Sequence, residues 1–173
     1  MDKRPLWAPW RIEYVTGAKD EECVFCTAAH QVDDAEWFIV ERGVTCFTML
    51  NRFPYSSGHL MVSPYRHVGE LQALDTAELT ELMPMAQRAV DALRAVMSPD
   101  GFNLGLNIGT AAGAGFKDHL HLHVVPRWNG DTNFMPVLAG TNVVPEALGA
   151  TWRSLVAAVA AREEQAGPGV TRP

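Results

Sequence analysis

From His119 to Val125 the chain alternates: Leu120, Leu122 and Val124 are apolar, and His119, His121 and His123 stand between them. A period of two is the period of a β-strand, whose successive side chains leave on opposite faces. The pattern predicts a strand over residues 119–125, its leucines and valine in a core. The three imidazoles would stand roughly 6.6 Å apart on a polar, wetted face. Pro126, directly afterwards, predicts that the strand ends there.

The same kind of pattern recurs upstream. Residues 36–41 and 45–50 read as two strands joined by a turn at Arg42-Gly43, and 59–63 as a third, closed by Pro64. The intervening 51–58, with proline, serines and Gly58, reads as a loop, and 102–108 as a fourth strand before the histidine run, the fifth. Between the third and fourth strands the period changes to 3.6. Asp75-x-x-Glu78 is a capping-box pattern, and Leu79, Leu82, Met83, Met85, Ala86, Ala89, Val90, Leu93, Val96 and Met97 follow at helical spacing. Pro84 lies inside that pattern and predicts a kink or a split after the first turns. A second amphipathic helix is expected over 146–165, carrying Trp152, Leu155, Val156 and Val159. Three strands, one long helix and two more strands, without βαβ alternation, predict an α+β fold: a five-stranded antiparallel sheet with the long helix packed on it and a C-terminal helix.

A chain of 173 residues, 47% hydrophobic and 20% charged, suits one globular domain over 1–173. Within it, 1–22 form an aromatic arm with Trp7, Trp10 and Tyr14, 23–128 the core, and 129–173 an extension bearing the last helix. The 14 basic and 20 acidic residues leave a net charge of −6 with no basic run, which argues against nucleic-acid and membrane-surface partners. A phosphorylated substrate would then be held by local donors and not by a general positive field. No apolar run is long enough to span a bilayer, and the charged opening lacks the apolar stretch of a secretory leader. Three cysteines form no disulfide framework, so a reducing cytoplasm is expected.

Some residues carry chemistry by type and spacing. A neutral imidazole is a good nucleophile at pH 7, and its phosphorus adduct is labile enough to be passed on. Gly109-Thr-Ala-Ala-Gly-Ala-Gly115 offers closely spaced backbone N–H groups with little bulk, suited to an anion. It is not a Walker loop, because no Gly-Lys-Ser/Thr follows. Cys23-x-x-Cys26 is half of a tetrahedral zinc site by spacing; His30 is one candidate third ligand, and two ordinary thiols are the alternative.

The run His119-Leu-His-Leu-His-Val-Val125 resembles the histidine triad superfamily, whose signature is His-φ-His-φ-His-φ-φ with φ apolar. The resemblance extends through Asn51…Gly58-His59, Asn107-x-Gly109…Ala112-Gly113 and Val125-Pro126-Arg127, over roughly residues 20–128. The arm Leu6-Trp-Ala-Pro-Trp-Arg11 and the segment 125–136 look more narrowly like the bacterial diadenosine tetraphosphate phosphorylase branch. The resemblance implies that His121 attacks the α-phosphorus of a nucleoside polyphosphate and forms a nucleotidyl-histidine, with inorganic phosphate or water as final acceptor. His123 would bond the transferring phosphate, with His119 and His59 completing the catalytic set. Asn107, with Gly113 and Gly115, would hold the phosphate and Asn51 the ribose; Met49 and Met61, on the strands flanking that site, are candidates to wall the base, with ordinary core methionines as the alternative. It further implies a closed structural zinc on Cys23, Cys26, His67 and His119, no organic cofactor, and a homodimer formed through the long helix and a sheet strand. Phosphorolysis of diadenosine tetraphosphate to ATP and ADP is the expected activity. Hydrolysis of such compounds or of nucleoside phosphoramidates is the first alternative. A metal-binding module using the His-x-His-x-His strand, or an interaction protein built on the aromatic arm, are alternatives of another class.

Overall fold

A computed structural model describes residues 23–131 and 147–166. The aromatic arm and the segment 132–146 lie outside those residues.

Five strands, β1 (Ile39–Arg42), β2 (Cys46–Leu50), β3 (Leu60–Pro64), β4 (Gly101–Leu106) and β5 (Leu122–Arg127), form an antiparallel sheet in the order β1-β2-β3-β5-β4. This is the expected α+β architecture. Helix α3 (Thr76–Met97) follows β3, and α4 (Leu148–Ala166) follows the sheet. Leu82, Met85, Ala86, Ala89 and Leu93 of α3, with Leu155 and Val159 of α4, bury one sheet face together with Val40, Leu50, Leu60, Val62, Leu120, Leu122 and Val124. The capping box is formed: the Asp75 carboxylate accepts from the Glu78 N–H and the Glu78 carboxylate from the Asp75 N–H, each at 2.9 Å. Pro84 does not split the helix. It sits on the exposed side beside Met83, where water can reach the carbonyl it leaves unbonded.

The first strand begins later than its alternation predicts. Glu36 and Trp37 belong to a short helix, α2 (Asp34–Trp37), because the Asp33 side chain accepts from the Ala35 and Glu36 N–H groups and starts a turn there. Phe38 then leaves the turn in a left-handed conformation, φ 55°. Arg42 belongs to β1, so the turn is displaced to 43–45. The histidine run also differs from the expected strand. β5 starts at Leu122, paired with Val62, and continues past Pro126 to Arg127. Ahead of it, Leu120 donates its N–H to the Val68 carbonyl at 2.6 Å and accepts the Ser63 hydroxyl at 3.0 Å. Pro126 is tolerated because β3 has ended by then. Its carbonyl points to the Ser56 hydroxyl, away from β4, and its missing N–H would point the same way.

A third layer was not legible in the pattern. Helix α1 (Val24–His30) lies on the opposite sheet face, where Phe25 and Ala28 pack with Ile39, Phe47, Met49 and Met61. Arg42 clamps its C-terminal end, donating to the carbonyls of Ala29 and Gln31 while pairing with Asp34. The sheet therefore carries helices on both faces.

Candidate active site

Burial is the first correction. The face that carries His119, His121 and His123 is not wetted: they are 0%, 6% and 8% exposed, and His59 is 0% exposed. The ring of Phe25 stacks on His121 with centroids 4.6 Å apart, and α1 closes the face from above. An imidazole buried in this way must have its N–H bonded, and the partners decide which nitrogen carries it.

Each tautomer follows from a backbone group that can only donate or only accept. The His119 carbonyl lies 2.8 Å from His121 Nδ1, so Nδ1 is the donor and Nε2 keeps its lone pair. The Tyr55 N–H donates to His59 Nδ1, so His59 carries its proton on Nε2, 2.9 Å from His123 Nδ1. His123 accepts there, and its own proton is on Nε2. The Asn107 amide lies 3.4 Å from that nitrogen and accepts from it when turned oxygen-first, whereas Asn51, 3.3 Å from His59 Nδ1, accepts the Phe53 N–H. The Pro64 carbonyl, 3.0 Å from His119 Nε2, makes Nε2 the donor and leaves Nδ1 bare, facing Cys23 Sγ at 3.2 Å and Cys26 Sγ at 3.5 Å. Three neighbouring histidines thus present a lone pair to the cleft, an N–H to the cleft, and a lone pair to a thiol pair.

Burial lowers the basicity of all three. His123 is pushed down to about 4, with His121 adding to the effect, and His121 is lowered as well, though its bond to the His119 carbonyl works the other way. Both are neutral at pH 7.

In front of His121 and His123 opens a cleft of about 170 Å³. Met49, Met61, Asn51, Asn107, Gly113 and Gly115, the residues singled out for substrate, line it. His59 stands behind His123, and the His119 ring lies outside the lining. The glycine loop folds into a 3₁₀ turn (Thr110–Ala112), with Gly113 in left-handed conformation at its end, φ 85°. Gly113 donates its N–H to Thr110 within that turn, while no bond among the described residues engages the N–H of Gly115.

The HIT domain family matches residues 34–130. This chain belongs to the HIT family. It is 42% identical over 158 residues to the AP-4-A phosphorylase of Mycobacterium tuberculosis, a match covering 87% of this chain and 81% of that one. Among solved structures, a Zn-bound histidine triad family protein from Mycobacterium smegmatis superposes with a TM-score of 0.68 at 28% identity, covering 83% of this chain and 97% of the other. A uridylyltransferase shares the fold, with a TM-score of 0.64 at 16% identity over 88% of this chain and 50% of the other.

The HIT chain also assembles the metal set that its resemblance implied. One ligand atom each from Cys23, Cys26, His67 and His119 lie within 4.8 Å of one another. The donor set suits a borderline-soft cation: two thiols and two imidazoles, one of which, His119, has its far N–H held by a backbone carbonyl, as for a metal-ligating histidine. Burial and the neighbouring Cys23 thiol push Cys26 up to about 11, a cost that a bound cation removes by stabilising both thiolates. His30, the rival ligand, is exposed and outside this set.

Sequence reasoning missed part of the cleft wall: Phe25, Arg52, Phe53, Tyr55 and Phe116 all line it. The signal for Phe25 was available. Phe25 lies between Cys23 and Cys26, the pair whose spacing already marked that stretch.

Proposed function

We propose that this HIT protein is a nucleotidyltransferase that splits diadenosine tetraphosphate with inorganic phosphate into ATP and ADP. The observation that carries the mechanism is the pair of opposite tautomers in one cleft, a bare Nε2 on His121 beside an Nε2–H on His123. The 42% identity to a phosphorylase supports the substrate and the acceptor.

The chemistry is a double displacement. His121 Nε2 attacks the α-phosphorus; the P–N bond forms as the P–O bond to the rest of the chain breaks, and ATP leaves. An oxygen of inorganic phosphate then attacks the same phosphorus, the P–N bond breaks, and ADP leaves. His123 and Asn107 hold the α-phosphate oxygens, and Gly113 and Gly115 form the wall beside them. Asn51 takes the ribose, while Met49 and Met61 flank the base. His119 acts through its carbonyl, which fixes the tautomer of His121, and His59 acts through His123.

Cys23, Cys26, His67 and His119 would hold a structural zinc, which would tie α1 to the loops that follow β3 and precede β5. The alternative in which the His-x-His-x-His strand itself chelates a metal has no support: the only cluster of potential ligands among the described residues takes His119 alone of the three. A second copy of the chain pairs along β4, an edge strand whose Leu104 is 44% exposed, with Ile108 beyond it at 39%. No helix among the described residues is long and apolar enough to cross a membrane, and a cytoplasmic enzyme fits the free thiols.

The test is product analysis. Diadenosine tetraphosphate incubated with phosphate should yield ATP and ADP in equal amounts. AMP with ATP in the presence of phosphate would make the chain a hydrolase, and no turnover would overturn the reading.

A further inference from the structure

The reaction proposed above needs His121 Nε2 held on the line of the breaking P–O bond. Its one hydrogen bond, from Nδ1 to the His119 carbonyl, fixes the tautomer and pins one corner of the ring. It does not fix the roll of the ring about Cβ–Cγ, a torsion with broad preferences, within the range of angles that a hydrogen bond tolerates. No bond among the described residues engages Nε2. The roll has to be set by packing. The His123 ring lies 4.7 Å away at 76° to the imidazole, too steep to stack on it. Phe25 lies on one face, nearly parallel, at 4.6 Å and 28°.

Phe25 is itself held unusually well for a residue so near the start of a short helix. It is 0% exposed, its ring lies 5.0 Å from the His119 ring, and Phe116 meets it edge-on at 5.8 Å. Cys23 and Cys26 on either side of it face His119 and His67, and Arg42 grips the other end of α1. The ring that stacks on the nucleophile is thereby anchored to the same histidine whose carbonyl sets the tautomer.

We propose that Phe25 is a positioning residue for the nucleophile: its ring, stacked on His121, sets the roll of the imidazole and keeps Nε2 aimed at the α-phosphorus. This rests on His121 being the attacking group. A simple apolar wall for the base would also place an aromatic residue in the cleft, but it would act on substrate binding. A positioning ring acts on the rate of attack, where misplacement of about 1 Å costs on the order of 10²-fold.

The experiment uses zinc-loaded protein and diadenosine tetraphosphate labelled at the α-phosphorus, rapidly quenched without phosphate, to follow label entering the protein. With Phe25→Leu the rate constant at saturating substrate should fall by at least about 30-fold while KM moves less than about threefold. Phe25→Tyr, which keeps a flat ring, should restore most of the rate. Phe25→Met fills the space without a ring and carries the test should the leucine variant fail to fold. An unchanged rate in a folded, zinc-loaded variant, or a change confined to KM, overturns the inference. Carbon-13 relaxation of the His121 ring supplies a readout independent of turnover: a rigid imidazole in the native protein, and larger-amplitude ring motion with the tautomer unchanged in the variants. A ring equally rigid in the variants also overturns it. Absence of labelled histidine in the native protein would instead overturn the proposed mechanism, and the NMR comparison would still report whether Phe25 holds the ring.

Discussion

The two faces of β5 and of the residue that leads into it, His121, are equally dry but are held by different forces. Leu122 and Val124 on one side are 6% and 0% exposed, and His121 and His123 on the other are 6% and 8%. On the leucine side nothing is directional. Removal of apolar area from water supplies the stabilisation, at roughly 25 cal/mol per Å², and any partner of the right shape will serve. On the histidine side His121 answers to the His119 carbonyl, which can only accept, and His123 answers through His59 to the Tyr55 N–H, which can only donate. The lesson is that burial does not distinguish core from site. What distinguishes them is whether the buried groups could be exchanged without changing a proton's address.

Neighbouring substitutions should separate the two faces most sharply. His121→Ala should cost at least about 10³-fold in kcat/KM for diadenosine tetraphosphate while thermal unfolding stays close to native. A folded variant with near-native rates would erase the distinction. Leu122→Ala, one residue along, should do the reverse. It should lose about 2–5 kcal/mol of stability in urea titrations and keep its rate per folded molecule within a few-fold.

The metal set lies on the histidine side, against His119, and Cys23→Ser combined with Cys26→Ser should affect both stability and activity. Elemental analysis of the native protein should find about one zinc per chain. The double variant should lose it, together with thermal stability and part of the activity. A metal-free native protein of full stability would reduce the set to two thiols and two histidines.

The pH dependence of stability should come from the histidine face. His123 titrates near 6.5 when unfolded and about 4 when folded, so between those values the unfolded chain binds the extra proton. Stability contributed by the neutral His123, which faces His59, His121 and Asn107, is complete above pH 6.5 and is lost as pH falls toward 4. The loss should reach about 3 kcal/mol. Urea titrations at stepped pH would show it, and His123→Asn should flatten the slope. The smallest effect belongs to the other side. Asp75→Ala, which removes the cap of α3, should cost about 1 kcal/mol and leave turnover unchanged.

What could be read from sequence follows the same division. The leucine face was legible because an apolar alternation and a 3.6 period each name a surface that must be buried, and α3 and the sheet meet as those periods require. The covering of the histidine face was not. Alternation shows that β5 has a second face but not what lies on it. The cover, α1, is seven residues long, too short to display a helical period, and comes from far up the chain. Cys23, Cys26, His67 and His119 meet as the family likeness implied. The late start of β1 was hidden because a single capping side chain, Asp33, overrode an alternation that ran through Glu36 and Trp37.

The indole of Trp152 donates to the Ile39 carbonyl at 2.8 Å, on the outermost strand at one end of the sheet. That contact makes the two borders of the sheet unequal. The β1 border is stoppered, by α4 overhead and by a register irregularity between Ile39 and Glu41 that breaks the run of backbone groups a newcomer would need. The β4 border is regular in its pairing with β5 and exposed through Asn103, Leu104 and Gly105. A ribbon of many chains needs two free borders on every member; a molecule with one can join a single twin and then has nothing left to offer. The stopper on β1 is thus a limit on growth, and removing it with Trp152→Ala would give the sheet a second open side.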